Sequence, residues 1–126
     1  MIIDFHTHAF PDDLAEKAVS GLGYDSKLKP SYDGTIDGLL KSMDEAGIEK
    51  SVVLNIATKP SQAENIINWC LKVRSERIIP FASIHPDNGN FPVIISRIKN
   101  EGIRGIKLHP MYQDFYADEE RLFPVY

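Results

Sequence analysis

The chain has 126 residues, 43% of them apolar and 25% charged, which is typical of a globular protein. We therefore expect one domain spanning residues 1–126, with a buried core, and exclude global disorder. The net charge of −4 disfavours a nucleic-acid surface, which is normally basic. A single cysteine excludes an internal disulfide, and without a run of 18 apolar residues no membrane span is expected. The first strand leaves no room for a signal peptide, so we expect a cytoplasmic protein.

Four short apolar segments predict β-strands. They cover residues 2–8, 51–57, 78–85 and 103–109. The second is apolar almost throughout, which is typical of a parallel strand buried on both faces. In the first, Ile3, Phe5 and Thr7 alternate with polar residues and are expected to face helices.

Helical patterns lie between these strands. Thr35 is the predicted N-cap of a helix whose apolar residues follow at helical spacing to Met43, and Gly47 is its predicted C′ residue. Further helices are predicted over residues 11–20, 65–74, 92–101 and, as a beginning only, 118–126. A Ser-x-x-Glu capping box at 61–64 opens the second of these, and residues 21–34 predict a loop. The order β-α-β-α-β-α-β implies right-handed crossovers and an α/β fold with a parallel sheet.

All four histidines lie at the carboxyl ends of predicted strands, where parallel α/β folds bind ligands. Side chains two apart in a strand share a face, so His6 and His8 should point to the same side as Asp4. Two neutral imidazoles on one face suit a divalent transition metal. His6 and His8 are therefore the predicted metal ligands.

The fourth predicted strand carries two more candidates. Lys107 and His109 share one face, while Ile106 and Leu108 share the other and should pack on helices. Because an unpaired lysine is costly to bury, we expect Lys107 to act in the site, with His109, as a catalytic residue. An uncharged Lys107 could react with carbon dioxide and bridge two metal ions. The alternatives are a structural pair with Asp4 and an anchor for a phosphate-like ligand.

Two further residues are candidates for substrate binding. His85 ends the third predicted strand and should line the pocket or orient a ligand. Asn55, near the end of the second, could hydrogen-bond the substrate. Cys70 falls within a predicted helix and is expected to serve packing.

Four motifs in order resemble the amidohydrolase superfamily, in particular its amidohydrolase-2 branch. They are Ile-Asp-Phe-His-Thr-His at 3–8, Met-Asp-Glu-Ala-Gly-Ile at 43–48, Phe-Ala-Ser-Ile-His-Pro at 81–86 and Gly-Ile-Arg-Gly-Ile-Lys-Leu-His-Pro at 102–110. The resemblance implies the first four strands of a (β/α)₈ TIM-like barrel. It also implies a centre of one or two metal ions, most often zinc, with manganese or another transition metal as alternatives, and it makes His6 and His8 first-strand ligands.

A complete barrel of this kind needs about 250 residues, so about half of one is expected here. The family's further histidine ligands come from strands five and six, and its general-base aspartate from strand eight. None of these falls within the 126 residues. We therefore expect the amino-terminal half of a longer enzyme, as a fragment or truncated form.

The resemblance implies hydrolysis of an amide, lactone or other ester bond through a metal-activated water. A decarboxylase of the same family stays open, because nothing in these residues separates the two. A TatD-like deoxyribonuclease shares Asp-x-His-x-His but places a metal-ligating glutamate where Lys107 stands. A catalytically inactive half-barrel also stays open, while a doubly wound sheet fits less well because it needs a fifth strand.

We expect a small-molecule substrate, no nucleic-acid or membrane partner, and a homo-oligomer such as a dimer. Half of a barrel has open sheet edges and an apolar inner face that lacks a partner. By strand parity, the candidates for that face are Ile2, Val53, Phe81 and Ile103. Two copies could cover it by pairing around a two-fold axis.

Overall fold

A computed structural model describes residues 1–26 and 29–126. The strands are β1 (Ile3–Thr7), β2 (Lys50–Leu54), β3 (Ile78–Ser83) and β4 (Ile106–Lys107). The α-helices are α1 (Asp12–Ser26), α2 (Ile36–Ala46), α3 (Ala63–Val73), α4 (Phe91–Asn100) and α5 (Pro110–Gln113). Short 3₁₀ helices cover Pro60–Gln62 and Glu120–Val125. Within the described part of the chain, no helix has the length and apolar character needed to cross a membrane.

The chain divides into two compact units. The first comprises Met1–Val53 with Ser75–Ile79, and the second comprises Leu54–Arg74 with Pro80–Tyr126. In the first unit, β1 pairs in parallel with β2, and the N–H of Ser51 in β2 donates to the carbonyl of Arg77, just before β3. In the second unit, the end of β3 pairs in parallel with β4. The predicted α/β class with four parallel strands is confirmed, and closure into a TIM barrel stays a prediction.

A bulge interrupts β1 near its carboxyl end. Asp4 lies opposite Ser51 and Thr7 lies opposite Val53, so β1 has one residue more than β2 over this stretch. The Asp4 carboxylate accepts a hydrogen bond from the backbone N–H of His6, at 3.0 Å, inside the bulge. Bulges of this kind disrupt the ladder and re-aim side chains at the ends of strands.

The expectation that Ile3, Phe5 and Thr7 face helices is therefore only partly correct. Thr7 is buried, and its hydroxyl donates to the carbonyl of Val52 at 2.9 Å. Phe5 is 64% exposed and Ile3 is 42% exposed, contrary to the prediction. Phe5 lies within the bulge, where regular alternation no longer decides which side a residue faces.

Local capping signals predicted α2 correctly. The Thr35 hydroxyl accepts a hydrogen bond from the N–H of Gly38 at 2.9 Å, which satisfies one of the free donors of the first turn. Gly47 has a φ of 69°, the left-handed conformation in which glycine ends helices without strain. Leu39 and Met43 are buried on the face that their spacing predicts.

Two helices differ from the prediction, α1 at its end and α3 at its start. α1 begins at Asp12 and continues to Ser26, so it occupies the first part of the predicted loop; residues 27–28 of that loop lie outside the described residues. α3 begins at Ala63 without the capping box predicted at 61–64. The Gln62 carboxamide instead accepts the backbone N–H groups of Thr58 and Lys59, at 2.7 and 3.1 Å.

The carboxyl-terminal segment also differs. The predicted helix at 118–126 is a 3₁₀ helix over Glu120–Val125, which packs on α4. Its Leu122 is fully buried in the core of the second unit. The four-residue helix α5 was not predicted, since it is too short for a periodic apolar pattern. The prediction for α4 is confirmed, with Gly102 just beyond its end at a φ of 72°.

All four described strands end earlier than predicted, β1 by only one residue. β2 ends at Leu54 and β3 at Ser83, while β4 has only two residues. Beyond these ends, side-chain oxygens accept backbone N–H groups that a neighbouring strand would otherwise satisfy. The N–H of Ala57 donates to the Ser83 hydroxyl, and the N–H of His85 donates to the Asn88 carboxamide, both at 2.9 Å.

The second unit has one contiguous apolar core. Its buried members are Ala63, Ile67, Cys70, Ala82, Ile84, Phe91, Ile94, Ile98, Ile103, Phe115 and Leu122. Ile106 and Leu108 pack against this cluster, as their predicted face requires.

Four residues were predicted to lie on an apolar face that lacks a partner. Two of them, Val53 and Ile103, are in fact buried, whereas Phe81 is half-buried and Ile2 is exposed. Ile103 lies outside β4, which explains why strand parity misplaced it.

Gly105 lies directly beneath the aromatic ring of Phe81. A Cβ at this position would overlap three carbons of the ring. This close approach of backbone to an aromatic ring requires a residue without a side chain.

We expect Gly105→Ala to lower the free energy of unfolding by about 1–3 kcal/mol, because the ring must shift in a packed region. Urea denaturation measures the change. Gly89→Ala is the matched control, since Gly89 has no positive φ and a Cβ there meets no atom within 4 Å. Equal losses in the two variants would contradict the packing argument.

Candidate functional site

The first unit brings two of the predicted site residues together. The rings of His6 and His8 lie edge to face, with centroids 5.2 Å apart and planes inclined at 66°. His6 is exposed and His8 is half-buried. The expected juxtaposition of the two imidazoles is therefore present, despite the bulge between Asp4 and Thr7.

Two side chains hold the backbone of this pair. Asp4 accepts the N–H of His6, and the Tyr32 hydroxyl donates to the carbonyl of His8 at 2.5 Å. Burial raises the pKa of Tyr32 above its usual value, and the negative charges of Asp4 and Asp33 add to the rise. Tyr32 therefore stays a donor at neutral pH. Sequence reasoning missed it, because Tyr32 lies in a predicted loop and carries no motif.

The separation of the two rings matches that of two ligands around a tetrahedral ion. A ligating imidazole nitrogen lies about 2.0–2.1 Å from zinc, which puts the centroids of two zinc-bound rings about 5 Å apart. The observed separation of 5.2 Å agrees with this arrangement. Over residues 1–26 and 29–126, no group of three or more His, Cys, Asp or Glu side chains could hold a metal ion. The residues present fit as two ligands of a site rather than as a complete one.

Lys107 and His109 lie in the second unit. Lys107 ends β4 and is half-buried, and its carbonyl accepts the Ser83 hydroxyl at 2.8 Å. Among the described residues of this unit, nothing pairs with its ammonium group through a hydrogen bond or ion bridge. The positive charge of Lys107 is thus not neutralised from within its own unit.

His109 is held at both backbone and ring. Its N–H donates to the Gln113 carboxamide oxygen at 2.7 Å, and its Nδ1 accepts the N–H of Tyr112 at 3.4 Å. The Tyr112 ring lies against the imidazole, with centroids 4.4 Å apart. Its catalytic role stays a prediction, but the ring has a defined orientation.

His85 is held in the same manner. It is buried, its N–H donates to the Asn88 carboxamide oxygen, and its Nδ1 accepts the N–H of Asp87 at 3.1 Å. The Asp87 carboxylate lies 3.7 Å from the same nitrogen and is paired with Arg121 at 2.6 Å. Substrate binding by His85 stays a prediction.

Gln113 is the structural residue that sequence reasoning missed in this unit. It is only 3% exposed, and its Nε2 donates to the carbonyls of Ala57 and Ile84, at 2.8 and 2.9 Å. Its Oε1 accepts the N–H of His109. Gln113 therefore joins the segments that follow β2, β3 and β4. No sequence signal marks it, because its partners are distant along the chain.

Asn55 contacts the fold through its amide nitrogen. The Nδ2 group donates to the carbonyl of Phe81 at 2.7 Å and lies 3.5 Å from the Cys70 sulfur. Its predicted role as a substrate contact is untested. Cys70 is buried, as expected of a packing residue.

Comparison of the chain with protein-family models, with curated proteins and with solved structures found no match. The resemblance to the amidohydrolase superfamily rests on the four sequence motifs alone.

Burial raises the pKa of the Cys70 thiol from 9.0 to about 12. We therefore expect the native protein to be inert to a disulfide reagent such as DTNB at pH 8, because attack requires a thiolate. Stability that depends on the neutral thiol should be fully present below pH 9 and lost as the pH rises towards 12. Cys70→Ala should lack this part of the alkaline loss.

The matched control is Ser96→Cys, which adds a thiol at an exposed position of α4 in the same unit. Absorbance at 412 nm should show one rapidly reacting thiol in that variant and none in the wild type. Rapid reaction of the wild type without denaturant would contradict the burial of Cys70.

Proposed function

We propose that the chain acts in metal-dependent hydrolysis of an amide, lactone or other ester bond of a small molecule. The observation that carries this proposal is the pair of imidazoles in the first unit, 5.2 Å apart at the end of β1. A bound divalent ion, zinc in the first instance, supplies a water of lowered pKa and polarises a carbonyl group. The four motifs of the sequence support the same class of reaction.

His6 and His8 would hold the ion. Asp4 and Tyr32 hold the backbone of these two residues, which restricts the positions that their rings can take. A restricted backbone lowers the entropy that the chain loses when it binds an ion.

Lys107 and His109 remain the candidate catalytic residues of the second unit. Because Nδ1 of His109 accepts a backbone N–H, its neutral ring keeps the proton on Nε2 and can donate to a carbonyl oxygen. The Lys107 ammonium can offset negative charge that develops on the substrate. Asn55 and His85 are proposed to contact the substrate. We further propose a homo-oligomer, since the exposed apolar residues of β1 leave part of its surface uncovered.

Titration calorimetry with Zn²⁺ at pH 7 tests the metal ligands. The wild type should bind one ion, more weakly than structural zinc sites, whose binding free energies are about 10–16 kcal/mol. His6→Ala/His8→Ala should abolish this binding, because both nitrogens are removed. Glu16→Ala/Lys17→Ala changes two exposed residues of α1 in the same unit and should leave binding unchanged.

The same proteins should then be assayed with zinc or manganese on p-nitrophenyl acetate, a simple lactone and an N-acetyl amide. Turnover that requires the metal, survives in the α1 control and disappears in the histidine variant supports the hydrolase. Metal binding without turnover of any substrate overturns it and favours a catalytically inactive metal-binding chain. Equal zinc binding by the wild type and the histidine variant refutes the proposed ligands.

A further inference from the structure

The second unit contains the same local arrangement twice. In each copy a histidine follows the end of a strand and precedes proline; we call these the two His-Pro turns, residues 85–88 and 109–113. In each, the histidine N–H donates to a carboxamide oxygen, from Asn88 or Gln113. In each, the histidine Nδ1 accepts a backbone N–H from two or three residues later.

The carboxamides also bind the same neighbouring segment. Asn88 donates to the carbonyl of Pro60 at 3.0 Å, and Gln113 donates to the carbonyl of Ala57 at 2.8 Å. Both turns are therefore fastened to the chain that follows β2. Two independent turns with equivalent anchors indicate that the orientation of both rings is determined by the fold.

This geometry decides which nitrogen carries the proton. A neutral imidazole has one donor and one acceptor nitrogen, and Nδ1 of both rings is occupied as an acceptor. The proton must then reside on Nε2 in both His85 and His109. A metal bound at Nε2 would require the other neutral tautomer. Its Nδ1–H would then point at a backbone N–H, so that two hydrogen-bond donors would face each other. The two turns thus present hydrogen-bond donors, in contrast to the His6–His8 pair.

Strand pairing gives the two turns equivalent positions. The final register pair of β3 and β4 is Ser83 with Lys107. His85 and His109 each lie two residues beyond that pair, in the segments that follow the two neighbouring strands, and Gln113 bonds both the carbonyl of Ile84 and the N–H of His109. Lys107 itself adds a positive charge, and no described residue of this unit forms an ion pair with it.

The acidic group within the first turn is already compensated. The Asp87 carboxylate, 3.7 Å from Nδ1 of His85, forms an ion pair with Arg121 at 2.6 Å. The negative charge of Asp87 therefore repels an incoming anion less strongly than the charge of an unpaired carboxylate would.

We propose that the two His-Pro turns form a carboxylate-binding site, in which Nε2–H of His85 and Nε2–H of His109 each donate to the ligand and Lys107 supplies the positive charge. Two neutral donors and one cation match a group with two oxygens and one negative charge. The inference goes beyond the proposed function, and the site is argued from contacts within the second unit alone.

Histidine labelled with ¹⁵N provides the direct test, on metal-free protein at pH 7.5. Long-range ¹H–¹⁵N spectra distinguish the two neutral tautomers and the cation. In their neutral form, the rings of His85 and His109 should carry the proton on Nε2, and single substitutions assign their signals. A proton on Nδ1 in either ring would overturn the inference.

Acetate is the probe for binding, with acetamide as its neutral counterpart. Titration with acetate should shift the Nε2–H signals of both turns. His109→Phe and His85→Phe should each weaken acetate binding about tenfold or more, because each removes a donor to a charged group. His109→Gln and His85→Gln should restore most of it, since glutamine can place an N–H near the former Nε2.

Lys107→Met should weaken acetate binding but leave acetamide binding unchanged. Circular dichroism and urea denaturation identify any variant that fails to fold, and the glutamine variants then carry the comparison. Acetate that shifts neither ring, or that binds equally to the phenylalanine variants, refutes the site. Because no metal is present, failure here leaves the zinc experiment standing, and failure of zinc binding leaves this site standing.

Discussion

The structure depends on how backbone polar groups find partners where the short strands end. A buried N–H or C=O without a hydrogen bond costs about as much as a lost hydrogen bond, so each must be satisfied once the ladder stops. In the second unit, buried side chains do this. Ser83 accepts from Ala57 and donates to Lys107, and Gln113 connects Ala57, Ile84 and His109.

These side-chain bonds explain why the functional candidates of the second unit have defined orientations. His85 and His109 follow strand ends and would otherwise lie on loops. The carboxamides of Asn88 and Gln113 hold their backbones, and downstream N–H groups hold their rings. The same bonds that satisfy the fold also select one tautomer, which couples local stability to the chemistry that each imidazole can perform.

The first unit solves the same problem differently. Its bulge in β1 leaves the N–H of His6 outside the ladder, and the Asp4 carboxylate satisfies it. Tyr32 satisfies the carbonyl of His8 from a segment 24 residues away. Here the rings lie beside each other at 5.2 Å. Four histidines with similar positions in the sequence therefore divide into a pair suited to ligating an ion and a pair suited to donating hydrogen bonds.

Local signals in the sequence determined the order of the strands and most helices, because apolar periodicity and caps involve residues close along the chain. Thr35 and Gly47 bound α2 as their chemistry requires, and the histidines stand at or just beyond strand ends. Tertiary structure alone decided where the strands stop. The N–H of Ala57, for example, donates to the hydroxyl of Ser83, 26 residues away, and not to a backbone carbonyl of a neighbouring strand. It also decided the burial of Ile103, the role of Gln113 and the tautomers of two histidines. Each of these depends on a contact between distant residues or on the conformation of a turn, and neither is encoded in the spacing of residue types.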